Sequence, residues 1–406
     1  MRKKVELLAP AGSLEKLKVA ILYGADAVYL GDSRYSLRAG SKNFSREDML
    51  AGLEFAHARG KKVYVTVNIF PRSGDLEGLP EYLDFLAEAG TDGILVADLG
   101  VFMLAKARQP DLPLHISTQA NTVNRLTAKA WEDLGARRIV LARELSAGEI
   151  EDIRRHVSAE LEIFVHGAMC VSYSGRCLLS NYLAGRDANR GECAQSCRWR
   201  YALTEEKRPQ EFFPVEEDER GTYILNSKDL SLLSYLPEII SAGVDSLKIE
   251  GRMKSLHYLA GTVRTYRAAI DAYLAAPQDF APKEEWLREL DLVSHRPYTA
   301  GFFPGEAKEP MQVYGSSSYL RKAEFVGVVR DYDPISRMAA VEQRGVLRVG
   351  DKIEIMQPTQ GDFAQTIDVM YDDGGNSIER APHAQQSLKI PLDRPAEPYA
   401  ILRREV

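Results

Sequence analysis

Short runs that are apolar throughout alternate along the first two-thirds of the chain with longer stretches whose apolar residues recur every three or four positions. Leu14, Leu17 and Ile21 fall on one helical face behind Ser13, a good N-cap. Ser146-x-x-Glu149 is a capping box, and Ser45 is followed by Glu47 and Asp48, acids that a helix N-terminus favours. A faint repeat marks the helix ends: Tyr23-Gly24-Ala25-Asp26-Ala27-Val28-Tyr29-Leu30 is echoed around Gly90, Gly135 and Gly243, with a further copy at Gly60. Each copy reads as a helix closing on a glycine, a tight turn and a short buried strand. The pattern predicts eight strands, near 5–9, 26–30, 62–68, 93–97, 113–118, 137–142, 162–167 and 245–250. Strands apolar on both faces and alternating with helices form a parallel sheet. Eight such units fit a closed α/β barrel of the (β/α)8 TIM type over residues 1–277.

One connection breaks this rhythm. Between the seventh and eighth strands an insertion of about residues 169–243 replaces a single helix, and it holds every cysteine of the chain. Long insertions in compact domains are usually functional, and the loop after a barrel strand opens on the catalytic face. The last barrel helix carries Leu256, Leu259, Val263, Tyr266 and Ile270 on one face. A linker is expected over 278–300, followed by a β-rich domain over 301–406. There Phe325–Val329 and Met338–Val341 flank an Asp-Tyr-Asp-Pro turn, and a further strand runs through Val349–Ile355. A small β-barrel is the expectation for this part.

The 406 residues contain no apolar run approaching the roughly 18–20 needed to span a bilayer. The basic N-terminus has too short an apolar stretch for a secretory signal, so a cytoplasmic protein with reduced thiols is expected. A net charge of −6 argues against a broad nucleic-acid-binding surface. The segment from Arg176 to Arg208 is locally positive, however, with seven basic residues against four acidic ones. Within it Arg198-Trp199-Arg200-Tyr201 interleaves cations with aromatics, as a site that stacks an unpaired base does.

Cys170, Cys177, Cys193 and Cys197 are spaced Cys-x6-Cys-x15-Cys-x3-Cys. Structural zinc needs four thiolates but usually takes closely spaced pairs. A nucleophilic cysteine leaves three thiols unexplained. An iron–sulfur cluster takes four thiolates at irregular spacing and suits the pattern better, with the other two readings left open. Polar residues collect at the predicted strand ends: Asn68, Asp98, Ser117, Thr118, Gln119, Arg143, Glu144, His166, Glu250 and Arg252. Barrel enzymes draw their sites from several strand ends at once. His166 could serve as an acid or base near neutral pH, and Arg143, Lys248 and Arg252 would suit an anionic substrate.

The segment Glu162-Ile163-Phe164-Val165-His166-Gly167-Ala168-Met169-Cys170-Val171-Ser172-Tyr173-Ser174-Gly175-Arg176-Cys177-Leu178-Leu179-Ser180 resembles the signature of the collagenase-like peptidase family U32. The stretches Arg186–Trp199, Gly221–Leu230, Ser246–Arg252 and His295–Phe303 are similar to the branch of that family that hydroxylates tRNA. The resemblance covers nearly the whole chain. It implies prephenate-dependent conversion of the wobble uridine to 5-hydroxyuridine, with prephenate, a small dicarboxylate, as co-substrate and the tRNA anticodon loop as partner. It also implies an iron–sulfur cluster, 4Fe-4S with zinc as the alternative, held by Cys170, Cys177, Cys193 and Cys197. The expected site then comprises His166, Glu250 and Arg143 as catalytic residues. Arg252, Lys248, Asn68, Gln119 and Arg176 are expected to bind substrate, and Arg190, Arg198, Trp199 and Arg200 to bind RNA. Peptidase is the second reading. Without a His-Glu-x-x-His or Gly-x-Ser-x-Gly motif it would rest on Cys170 or Cys177 with His166. A non-catalytic RNA-binding scaffold is the third.

Overall fold

The computed structural model describes residues 5–37, 43–170, 172–199, 217–218, 221–222, 227–305 and 319–406. Eight parallel strands close into a barrel: β1 (Glu6–Pro10), β2 (Ala27–Leu30), β3 (Lys62–Val67), β4 (Gly93–Val96), β5 (Leu114–Ile116), β6 (Arg138–Val140), β7 (Glu160–Ala168) and β8 (Ser246–Ile249). Closure comes from β8, which pairs with β1 on one side and β7 on the other. The predicted (β/α)8 fold is the observed one. The repeated glycines do what their positions predict: Gly24, Gly60, Gly90, Gly135 and Gly243 all have positive φ, a conformation open to glycine at little steric cost. Ser13, Ser45, Asp98 and Ser146 cap the helices that follow them, and Ser146 with Glu149 forms the capping box.

The barrel interior departs from the usual aliphatic filling. Glu162, with no solvent exposure, bonds Lys248 at 2.8 Å and Arg138 at 3.0 Å. Arg138 also reaches Glu6 and Glu160, and Tyr64 donates to Glu6. Burial opposes ionisation throughout this network. At Glu162 two cations outweigh it and hold the carboxyl below the usual carboxylate range. At Lys248, which faces one anion and two arginines, burial prevails and lowers the ammonium.

β7 is the longest barrel strand and outruns its neighbours at the mouth. Its projecting end, His166–Ala168, pairs antiparallel with Asp229–Ser231, which pairs in turn with Tyr298–Thr299. Behind the barrel, the helix Glu284–Leu292 buries Trp286 and Leu290 next to the long helix Leu256–Ala275. The C-terminal part is an eight-stranded antiparallel sheet built from the hairpin Ala323–Asp333/Met338–Gln343 outward, with a core of its own. The sheet has two free ends among the described residues, so the expected small β-barrel is realised as a half-barrel. Val328, Met356 and Ile401 pack into the main core, and Arg403, buried between the two parts, binds Glu289 and Glu354.

Candidate active site

The strand ends and the insertion enclose a cavity of about 1040 Å³ that continues to the edge of the C-terminal sheet. Cys170, Cys177, Cys193 and Cys197 all line it, together with Gln119, Arg143, Arg186 and Glu250. None of the four cysteines is in a disulfide. Backbone N–H groups of Ser172 and Gln195 donate to the Cys170 and Cys193 sulfurs, each at 3.4 Å. Cys170 faces the cavity yet is walled by protein on its other sides. That desolvation pushes its thiol up, charge on Cys177 and Cys193 pushes it the same way, and the Ser172 N–H and Arg143 oppose them. Four thiols lining one cavity, two of them with N–H donors on their sulfurs, have the chemistry of a thiolate-bound metal centre. Among the described residues no three His, Cys, Asp or Glu side chains come close enough to share one ion.

The cysteines are set by polar ties between insertion and barrel. Glu144, after β6, accepts from the backbone N–H and the hydroxyl of Ser174, both at 2.6 Å. Ser174 adopts a positive φ of 41°, unusual for serine, in the turn between Cys170 and Cys177. The Asn189 amide accepts from Cys177 N–H at 3.1 Å and donates to its carbonyl at 3.0 Å. Arg190 binds Asp75, Phe70 N–H donates to the Asn189 carbonyl, and Arg176 donates to the Gln119 carbonyl while lying over Phe70.

Arg143 stacks on Phe164 with its guanidinium carbon 3.9 Å from the ring centre and donates to the Ala168 carbonyl. Glu144 is taken by Ser174, and no carboxylate among the described residues pairs with Arg143. Glu250 reaches the mouth because Gly167 lets β7 and β8 approach: a Cβ on Gly167 would stand 2.5 Å from the Glu250 carbonyl oxygen. Asn68 accepts from Leu37 N–H and donates to Ser117 and Gln119, orienting the Gln119 amide toward the cavity.

Three expected site residues lie elsewhere. Lys248 points into the barrel beneath the mouth and serves Glu162. Arg252 is buried behind the rim, donating to Ser36 and Asn43 of the β2–α loop. His166 faces outward. The β7–β8 register slips so that Lys248 pairs with Phe164 but Ile249 with His166, and this bulge turns the imidazole into the helix layer. There it packs among Tyr258, Tyr266 and Tyr298, and burial lowers its pKa to about 3. Tyr266 donates to the Val165 carbonyl and lies 3.4 Å from His166 Nδ1, which leaves Nε2 without a partner among the described residues. His166 is therefore neutral and set apart from Cys170 and Cys177. Trp199 is exposed; the Arg198 side chain and Arg200 lie outside the described residues. The Glu144–Ser174 tie and the cavity-lining Arg186 escaped the sequence reading because neither falls in a periodic or spaced pattern.

A TIM-type barrel with a thiol-lined mouth and a C-terminal half-barrel defines the class. Residues 12–312 match peptidase family U32 and residues 321–403 match the peptidase family U32 C-terminal domain. The chain belongs to this family. It is 42% identical to tRNA hydroxylation protein P1 of Bacillus subtilis over 99% of its own length and 95% of that protein's. It is 39% identical to tRNA hydroxylation protein P of Escherichia coli, covering 99% and 97%. A collagenase of Porphyromonas gingivalis is 31% identical over 98% of this chain and 97% of that one.

Proposed function

We propose that this protein is a cytoplasmic tRNA-modifying enzyme that hydroxylates the wobble uridine to 5-hydroxyuridine, with prephenate as co-substrate. The observation that carries this reading is that all four cysteines share one cavity with Arg143, Gln119 and Glu250. Near full-length similarity to two tRNA hydroxylation proteins supports it. Cys170, Cys177, Cys193 and Cys197 would hold an iron–sulfur cluster. When bound, such a cluster supplies a redox-active or Lewis-acidic centre beside the mouth. The cluster is preferred to zinc because the Cys-x6-Cys-x15-Cys-x3-Cys spacing lacks the closely spaced pairs that structural zinc usually takes.

The surrounding residues bind and orient. Arg143, with no carboxylate partner among the described residues and fixed over Phe164, presents N–H groups suited to one carboxylate of a dicarboxylate. The Gln119 amide, held by Asn68 and Ser117, offers a hydrogen-bonding edge for the base. An unpaired anticodon-loop uridine enters such a mouth at little unstacking cost. The test is a deletion strain assayed for wobble hydroxylation and complemented with wild type or Cys193→Ala. Restoration by wild type alone, with iron and a visible absorption band in anaerobically purified protein, is the expected outcome. Wobble hydroxylation persisting at the wild-type level in the deletion strain rejects the reading. Similarity to a collagenase keeps a peptidase reading in view, with gelatin cleavage by the purified protein as its assay. The pairing of Cys170 or Cys177 with His166 on which it would rest is not assembled, since His166 faces the helix layer.

A further inference from the structure

Among the described residues four aromatic side chains are exposed: Tyr173, Tyr182, Trp199 and Tyr319. Three belong to the cysteine insertion, and the fourth lines its cavity. Tyr319 is already engaged, with Lys254 and Arg296 against its ring. Tyr182 is different. It lies on the short helix Leu179–Ala184, 87% exposed, and Leu178, four residues earlier on the same side, is 77% exposed.

This helix is fixed from beneath. Ser180, on its inner face, accepts from Ala194 N–H at 2.9 Å, and Gly185 closes the helix with a φ of 64° and a bond to the Asn181 carbonyl. A helix tied to the loop before the fourth cysteine thus presents a bare tyrosine and leucine to solvent between the second and third cysteines. Arg186 follows directly, exposed, lining the cavity and without a carboxylate partner among the described residues.

We propose that the outer face of this helix is a stacking platform for an unpaired base next to the one being modified, with Tyr182 and Leu178 under the base and Arg186 on its phosphate. The inference rests on the RNA-modifying reading and adds a binding site to it. A six-residue helix is too small for a stable protein interface, which takes about 800 Å² per partner. An exposed aromatic ring four residues before an arginine with no carboxylate partner among the described residues instead suits a single strand, which proteins hold by stacking and cationic contacts.

The test is binding of the full-length protein to a synthetic RNA hairpin with the target uridine in its loop, measured by fluorescence anisotropy across a salt series. Tyr182→Ala is expected to weaken binding about tenfold, as loss of one base stack does, and Tyr182→Trp to restore it. Arg186→Gln should lower the slope of log affinity against log salt by about 0.7, one phosphate contact on a single strand, which Tyr182→Ala should leave unchanged. The visible spectrum of each variant should match that of wild type. Wild-type affinity in Tyr182→Ala overturns the inference while leaving the tRNA reading intact. Self-association of the wild type that Tyr182→Ala abolishes, with RNA binding unaltered, overturns it too and assigns the face to a second copy. Failure of the wild type to bind either the hairpin or whole tRNA sinks the functional reading itself.

Discussion

Arg143 and His166 show how two strand-end residues of similar promise end in different surroundings. The Arg143 guanidinium is held over Phe164 and tied to the Ala168 carbonyl, at the wall of the cavity. Arg143→Gln should weaken binding of prephenate about thirtyfold, on the order of 2 kcal/mol, while thermal stability stays near wild type; calorimetric titration would show it. His166 instead titrates against the fold. Its pKa of about 3 lies below the value near 6.5 of an unfolded chain, so between these limits the unfolded state binds the extra proton. Stability is complete above pH 6.5 and falls as the pH drops, approaching about 1.4 kcal/mol per unit from this residue. Urea unfolding of His166→Phe at pH 7 and pH 5 should show a shallower pH dependence than wild type by roughly 2 kcal/mol over that interval. Nothing in the local sequence distinguishes these fates, because the bulge that turns His166 outward is a property of two strands paired across the insertion.

At the scale of elements, the barrel was legible. Apolar runs gave all eight strands, five of them behind a glycine, and serine caps gave three of the helix starts, because these signals are local. Polar contacts across the chain were not. Lys248 read as a substrate anchor since its partner Glu162 lies on another strand, and Glu144 gave no hint that it grips Ser174. The β7–β8 contact carries its own prediction. Gly167→Ala adds a Cβ where the Glu250 backbone stands and does so at a φ of 111°. It should destabilise the protein by about 2 kcal/mol or more and reduce wobble hydroxylation beyond what lost stability explains, because Glu250 must shift. Denaturant melts alongside hydroxylation rates would separate the two effects.

At the scale of the molecule, barrel and half-barrel share packing and a buried charge cluster. Arg403, at the seam, binds Glu289 from the barrel side and Glu354 from the sheet, beside His257. Arg403→Ala strands two carboxylates and should cost about 3–5 kcal/mol. Scanning calorimetry should then resolve two transitions where wild type gives one, as the half-barrel, with its own core, uncouples from the barrel. The seam was hidden from sequence reading because its members, His257 to Arg403, are spread over a separation of 146 positions with no repeat. The β-strand pattern announced a second folded part without revealing that the cysteine cavity runs out to its edge.

Beneath Phe164 the barrel is plugged by ionised side chains rather than hollow. A bound molecule can descend no further than that ring and must lie across the barrel's mouth, spreading toward the insertion and the C-terminal sheet, where the open volume is. Breadth along that direction, not depth, is the dimension by which such a chamber sorts its guests.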